Sequence, residues 1–377
     1  MTKKRGNGEG TTPYRRKNGL WCAQYTVHTA AGRKRRTLYG KTRQEVAAKL
    51  AKALSDRESG LTFDADNLAL NDYLDQWLDD SVRDTVRQRT WERYEQIVRI
   101  HIKPSLGRVK LKALTPVHIR GLYREKLDAG LASRTVQYIH TTLHKALKDA
   151  VADGLIPRNV TEAVKAPRAK KKEVNALSPD QTRAFLETVR GDRFEALYVL
   201  AVTAGLREGE LLGLRWDDID LDAGTLSVRR TLSEARSGRF FEPPKNGKGR
   251  NIRLARQAIE ALKAHRKRQN EERLSLGALW QDSGLVFPAQ TGTPMNAKNL
   301  TARSFKPLLE SAGLSRTVRL HDLRHTCATL LLGKGVHPKI VQELLGHATI
   351  AITLVTYSHV LPNMQGEAAS AMESVLS

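Results

Sequence analysis

The sequence predicts a multidomain α+β protein. A small β-sheet-plus-helix N-terminal domain is followed by an all-α domain and by a mainly α C-terminal domain with a small antiparallel β-sheet. Three observations lead there. The chain has 377 residues, enough for two or three domains rather than one. The apolar pattern alternates before residue 40, takes helical spacing afterwards, and alternates again for a short stretch after residue 225. The charge is uneven as well. Of a formal net +23, residues 1–60 carry 15 Lys and Arg against 4 Asp and Glu, which sets that segment apart.

The basic excess predicts a polyanionic partner, either nucleic acid or an anionic membrane. No run of about 18 apolar residues occurs, and the start, MTKKRGNGEG, has no apolar stretch that would read as a secretory signal. A membrane partner is therefore not expected. The two cysteines, Cys22 and Cys327, match no disulfide or zinc spacing, and the expected compartment is a reducing cytoplasm.

Residues 1–11 are polar and Gly-rich and read as a basic arm. From Pro13 the pattern is β-like. Asn18-Gly19 is a hairpin turn signal. Leu20 to Val27 alternates around Trp21, Ala23, Tyr25 and Val27, Ala31-Gly32 makes a second turn, and Arg33 to Tyr39 a third strand. Thr42 opens a helix as a capping box with Glu45, and Val46, Leu50 and Leu54 supply its apolar face. This is the first domain, residues 1–60. Residues 59–68 read as a linker.

Four helical patterns follow, Leu70–Ser81, Arg89–His101, Pro116–Ala129 and Arg134–Ala152, and make up a domain over residues 66–166. Thr115 caps the third with Pro116 at its first position, and Gly130 and Gly154 lie just past the ends of the third and fourth. The basic run Pro167 to Lys172 reads as an interdomain linker. The last domain, residues 175–377, opens on a second capping box, Ser178-Pro179-Asp180-Gln181. Arg193 to Leu206 reads as an apolar helix delivering Arg207. Thr225–Leu232, Phe240–Lys245 and Asn251–Leu254 read as three strands, and helices follow from Gln257, interrupted by a loop over Pro288–Pro294.

Near the C-terminus, His321, Arg324, His347 and Tyr357 each stand at the edge of an apolar helical pattern. His321 and Arg324 are three apart and share a helix face. Gly346 ends the helix carrying Ile340, Val341, Leu344 and Leu345. A guanidinium matches phosphate oxygens bidentately, imidazole moves protons near neutral pH, and a phenolate can act as nucleophile. Taken singly, each residue has a plainer explanation as a helix-end histidine, a surface ion-pair partner or a core aromatic.

Together, HDLRH, then LGH, then a Tyr before Ser-His, resemble the C-terminal catalytic box of the tyrosine recombinases, the phage-integrase family. Thr203 to Trp216, TAGLREGELLGLRW, resembles that family's first arginine box, which places its arginine on Arg207 and the associated acid on Glu210. Pro244 to Arg250, PKNGKGR, resembles the β-hairpin carrying the family's lysine, which falls on Lys245, with Lys248 as its rival. The three strands and helix at the front resemble the small arm-site-binding domain of many integrases. The helical domain resembles the family's core-binding domain.

The resemblance implies the chemistry. Arg207 and Arg324 hold the non-bridging oxygens of a scissile phosphate, and His347 adds a hydrogen bond. Lys245 protonates the leaving 5′-oxygen, and His321 takes part in proton transfer around the tyrosine. Tyr357 attacks, giving a 3′-phosphotyrosine and a free 5′-hydroxyl. Glu210 orients Arg207 or a histidine, and His325 is read as support. No cofactor, metal or ATP is implied.

The implied partner is double-stranded DNA at core and arm attachment sites, engaged by a tetramer, with accessory DNA-bending or directionality proteins. The implied setting is a bacterial cytoplasm, at the nucleoid, where a phage or mobile element integrates into a chromosome. His321 and His325, at i and i+4, come close to the HExxH zinc pattern. Asp322 replaces the Glu, however, and Arg324 would repel a cation. A type IB topoisomerase is the rival within this chemistry, and the separate basic N-terminal module argues against it. A DNA-binding protein without catalysis is the rival from another class, and it would not need the phenol.

Overall fold

The computed structural model describes residues 10–17, 19–29, 32–58, 67–169, 175–245, 247–357 and 372–376, and the chain divides into two compact units, Met1–Lys171 and Lys172–Ser377. The predicted basic arm lies largely outside the described residues, as do Asn18, Ala31, most of the first linker and half of the second.

In the first unit, Tyr14–Arg15 (β1), Trp21–Thr29 (β2) and Gly32–Gly40 (β3) form an antiparallel sheet in the order β1-β2-β3. The register of β2 on β3 runs from Trp21 opposite Gly40 to Thr29 opposite Gly32. Gly19 takes φ +82 in the first turn, a conformation that costs glycine little. Arg43–Glu58 (α1) packs Val46 and Leu50 against Ala23 and Tyr25. Thr42 caps it, accepting the Glu45 N–H at 3.1 Å. The return half of the expected box is displaced: the Glu45 carboxylate accepts the N–H of Lys41 at 2.8 Å. That satisfies the donor one residue earlier.

A second core in this unit gathers Tyr73, Leu74, Trp77, Ile119 and Leu143. Leu70–Gln76 (α2) continues as a π-helical stretch, Trp77–Val82. Gln88–Ile97 (α3) continues through a π stretch, Val98–Ile102, into Lys103–Leu106 (α4). The predicted second helix thus runs past His101 to Leu106, with Pro104 in the first turn of α4, where a missing N–H is tolerated. Pro116–Asp128 (α5) and Ser133–Ala152 (α6) match their predicted ranges within one residue. The Tyr73 hydroxyl donates to the Ala146 carbonyl at 2.5 Å and the Trp77 indole to Asp149 at 2.7 Å. Both buried aromatics thereby satisfy their polar ends.

In the second unit, Pro179–Thr188 (α7) begins on a full capping box: Gln181 N–H donates to Ser178 Oγ at 3.1 Å and Ser178 N–H to Gln181 Oε1 at 3.0 Å. Glu195–Thr203 (α8) is shorter than the predicted Arg193–Leu206. At its start the Asp192 carboxylate accepts the Phe194 N–H at 2.7 Å and holds a turn there. At its end Gly205 takes φ +60, which no helix continues through. Glu208–Leu212 (α9) follows at once.

Ile219–Asp220 (β4), Thr225–Val228 (β5) and Arg250–Arg253 (β8) form one antiparallel sheet, while Thr231–Ala235 (β6) and Gly238–Glu242 (β7) form a separate hairpin. The strand expected over Thr225–Leu232 is therefore two strands in two sheets. Arg229 and Arg230 break it, because both side chains turn to the buried carboxylate of Asp218. The strand expected over Phe240–Lys245 ends at Glu242, because Pro243 and Pro244 have no N–H to give a ladder. Lys245 thus lies on the loop between β7 and β8.

The remaining helices are Arg256–Leu276 (α10), Ala297–Leu300 (α11), Lys306–Ser311 (α12), Leu320–Gly333 (α13), Pro338–Leu345 (α14) and Ile350–Tyr357 (α15). Phe185, Tyr198 and Phe305 form the aromatic centre of the main core, with ring centroids 5.5 to 5.8 Å apart. Among the described residues no single helix is long and apolar enough to cross a membrane.

Candidate active site

The site is built where α13, α14 and α15 meet the turn between α8 and α9. Arg207 is the residue before α9, and Glu210 lies in the first turn of that helix. Glu210 Oε2 accepts the Arg207 backbone N–H at 3.0 Å and Oε1 accepts Arg207 Nη1 at 2.6 Å. The same carboxylate takes both ends of a second guanidinium, from Arg250 at the start of β8, at 3.1 and 2.7 Å. Glu210 is only 2 % exposed. Burial alone would raise its pKa, but the Arg250 hydrogen bond and the charges of Arg250 and Arg207 outweigh it and hold the carboxyl at about 2.

Arg324, on the second turn of α13, is 3 % exposed. Its Nη1 donates to the Gly205 carbonyl and its Nη2 to the Leu345 carbonyl, both at 2.7 Å. Arg207 Nη2 donates to the Gly346 carbonyl at 3.1 Å, and Arg250 Nε to the Leu344 carbonyl at 2.8 Å. Three guanidinium groups are thus fastened to consecutive carbonyls at the end of α14. A helix C-terminus leaves such carbonyls without donors from its own backbone, and the guanidinium groups supply them.

Two glycines make the approach feasible. Gly205 has φ +60, and a Cβ there would meet Leu345 Cδ2 at 2.5 Å. Gly346 ends α14 in the left-handed region, and a Cβ there would meet the Arg250 guanidinium at 3.0 Å. Burial and the neighbouring Arg207 charge depress the Arg324 pKa. A guanidinium nevertheless stays charged at neutral pH. Arg324→Lys is expected to lower stability by about 1–3 kcal/mol, because an ammonium cannot reach both carbonyls and one is left buried without a donor. Urea denaturation measures this, and an unchanged midpoint would contradict it.

His347 follows directly on Gly346. Its Nδ1 lies 2.8 Å from the Thr353 hydroxyl. Burial, with the charges of Arg324 and Arg207, lowers its pKa to about 4, so it is neutral at physiological pH. Tyr357 is the last residue of α15 and is 1 % exposed, packed with Ala328, Leu332, Val341 and Leu345. Burial raises its phenol to about 12, against a lowering by Arg324.

The phenol oxygen lies 2.7 Å from His325 Nδ1. His321, expected to serve the tyrosine, instead meets the His325 ring edge-on at 4.9 Å between centroids. Much of His321 stays accessible to solvent, yet the surrounding protein, then His325 and Arg324, lower its pKa. Lys245 and Lys248 are both exposed on the loop after β7, where the Gly247 N–H donates to the Pro244 carbonyl at 2.8 Å.

The structure therefore brings Arg207, Glu210, Arg324, His347 and Tyr357 to one corner, with His321 beside it and Lys245 on a neighbouring loop. From sequence Arg250 was given no site role and His325 was read only as support. Arg250 carried a signal only as the end of the Pro244 to Arg250 stretch, and His325 only in standing next to Arg324. Three cations against one carboxylate leave an excess suited to an anion that accepts several hydrogen bonds. Among the described residues, no group of three His, Cys, Asp or Glu side chains converges as metal ligands.

Residues 175–364 match the sequence pattern described as the phage integrase family, and residues 69–127 match a phage integrase N-terminal SAM-like domain. A protein named tyrosine recombinase XerC-like, from Caldanaerobacter subterraneus subsp. tengcongensis, is 32% identical over 361 residues, covering 90% of this chain and 92% of its own. An integrase of Streptomyces ambofaciens is 31% identical over 371 residues, covering 95% of this chain and 94% of its own. A solved structure of the Tn1549 transposon integrase in complex with a circular intermediate DNA superposes with a TM-score of 0.68. It is 22% identical and covers 81% of this chain and 99% of that one.

Proposed function

The chain belongs to the phage integrase family and is a tyrosine recombinase, and from that premise we propose that Tyr357 cleaves DNA as a covalent nucleophile at a site built by Arg207, Lys245, His321, Arg324 and His347, with Glu210 in support. The observation that carries the reading is the Tyr357 hydroxyl, buried at the end of α15 beside the charged Arg324 and in contact with a histidine. A core tyrosine gains nothing from three guanidinium groups. A phosphodiester approaching in-line attack gains a great deal, since its equatorial oxygens accumulate charge.

Tyr357 attacks phosphorus, the 3′-phosphotyrosine bond forms, and the bond to the 5′-oxygen breaks. Arg207 and Arg324 bind the non-bridging oxygens, and neutral His347 donates a hydrogen bond to one of them. The covalent bond stores the phosphodiester energy, so rejoining needs neither ATP nor a cofactor. Recombination between two duplexes cuts four strands, one tyrosine for each, which fits a tetramer on DNA.

Residues 1–60 form the arm-site DNA-binding domain, residues 66–166 the core-binding domain and residues 175–377 the catalytic domain. The dense positive charge of residues 1–60 supports the first assignment, as does the sheet's own hydrophobic core. The chain acts in the cytoplasm of a bacterial host, integrating a phage or mobile element into the chromosome.

A nicked suicide substrate tests the function. The labelled 3′-end is expected to become attached to protein, equally in EDTA and in magnesium, while the 5′-end stays free. Attachment to the 5′-end would overturn the reading.

The exposed loop position of Lys245 suits a group that swings in to protonate the leaving oxygen. Lys245→Ala is expected to slow cleavage of normal DNA by about 10²-fold or more. Sulfur at the 5′-bridging position should restore most of the rate, because a thiolate leaves without a proton. Rescue of Lys248→Ala instead would move the role to Lys248.

A further inference from the structure

The resemblance gives proton transfer around Tyr357 to His321, but the ring that His321 meets is that of His325. A phenol raised to about 12 is ionised to only about one part in 10⁵ at pH 7. Its proton has to leave as the oxygen attacks, and a group within hydrogen-bond reach must receive it.

We infer that His325 is a catalytic residue that holds the Tyr357 phenol for attack and takes its proton on Nδ1. The inference rests on the reading of Tyr357 as nucleophile. His325 is the next residue after Arg324 on α13 and lies across from the end of α15. Its Nδ1 is 2.7 Å from the phenol oxygen, and the two rings are 5.7 Å apart at 60°. That is the distance of a direct proton transfer, with no water between. His321 meets the ring of His325 rather than the phenol.

The surroundings suit a neutral acceptor. Burial lowers the His325 pKa, Asp322 opposes that, and Arg319 and Arg324 add to the lowering. Asp322 is itself held by Arg319, with Nη2 at 2.6 Å from Oδ1, so its charge is shared rather than free to protonate the ring. His321 and His347 also stand beside His325, and both are lowered by burial, His321 further by His325, Arg324 and Arg319, and His347 by Arg324 and Arg207. At neutral pH His325 therefore carries one proton. With that proton on Nε2, Nδ1 is the acceptor for the phenol.

The step balances. The phenolic O–H breaks and its proton goes to His325 Nδ1. The bond between the tyrosine oxygen and phosphorus forms, and the 5′-oxygen leaves with a proton from Lys245. In rejoining, the 5′-hydroxyl attacks and gives its proton back to Lys245, the phosphotyrosine bond breaks, and the imidazolium returns its proton to the phenolate. His325 thus ends each cycle as it began.

Single-turnover cleavage of the suicide substrate against pH tests this on the full chain. The wild-type rate is expected to rise with pH through a midpoint below the ordinary histidine value of 6.5 and then to level off, because only the neutral ring accepts a proton. His325→Asn keeps a hydrogen-bonding group near the position of Nδ1 but offers no base. It should bind DNA as the wild type does, cleave about 10²-fold more slowly, and lose the low-pH fall. His325→Phe keeps the ring without the contact and should be at least as slow.

A wild-type profile without a low-pH fall would overturn the assignment, and that measurement needs no variant to fold. Cleavage by His325→Asn at the wild-type rate or faster would also overturn it, and would mark the contact as a latch on the nucleophile. A low-pH fall that persists in His325→Asn would move the role to another group. If Tyr357→Phe itself joined DNA, the underlying reading would fail instead, whatever His325 does.

Discussion

Tyr357→Phe is expected to abolish covalent joining to DNA while leaving DNA binding intact. The ring is buried with Ala328, Leu332, Val341 and Leu345, and phenylalanine fills the same space. What disappears is one oxygen, with its contact to His325 at 2.7 Å. Losing that contact should cost about 1 kcal/mol of stability, a small shift in melting temperature. The three guanidinium groups are fastened to Glu210 and to carbonyls of the Leu344 to Gly346 turn, not to the phenol, so the anion site should persist. Gel-shift binding at unchanged affinity with no adduct after long incubation is the expected pair of results. Residual joining above a background control would show that another residue attacks.

Glu210→Ala is expected to have the largest effect on stability. Its carboxylate is the counter-charge for Arg207 and Arg250 and lies close enough to influence Arg324. Removing it leaves buried positive charges without a partner, which costs about 3–5 kcal/mol. The pKa leads to a similar figure. A carboxyl lowered from 4.5 to about 2 corresponds to on the order of 3 kcal/mol. Because the folded-state pKa is the lower one, that stability is present above the unfolded value and fades as pH falls from about 4.5 towards about 2.

Glu210→Gln, which keeps the shape and loses the charge, should fall between the wild type and Glu210→Ala. Urea denaturation at neutral pH and at low pH distinguishes the contributions. The difference between wild type and Glu210→Ala should shrink in acid. A difference that stayed constant with pH would mean that charge is not what Glu210 contributes.

The helical periods were legible because capping residues, glycines and prolines fall at their ends, as at Ser178, Thr115 and Gly346. The candidate site residues were legible through the resemblance of three short motifs to those of a known family. The two misread strands have separate causes. Alternation from Thr225 to Leu232 is continuous in sequence, and only the pull of Asp218 on Arg229 and Arg230 cuts it into two strands. The ladder beyond Phe240 stops at two prolines, and this frees the Lys245 loop from β7.

The places of Arg250 and His325 are not legible in the sequence for a different reason. Each gains its place from a partner far away in sequence, Arg250 from Glu210 and Leu344, and His325 from Tyr357. No local pattern encodes those meetings. Glu210 itself was anticipated as an orienting acid, but spacing alone ties it to Arg207, whereas the fold makes it the shared counter-charge of two guanidinium groups.

If Tyr357 is the nucleophile, it is the residue that carries DNA after cleavage. The suicide-substrate adduct, formed in EDTA, can be digested with protease and nuclease and the modified peptide sequenced by mass spectrometry. A nucleotide joined through its 3′-phosphate to Tyr357 is the expected product. A 3′-nucleotide on any other residue, or an adduct that forms only when a divalent metal is supplied, would contradict that role for Tyr357.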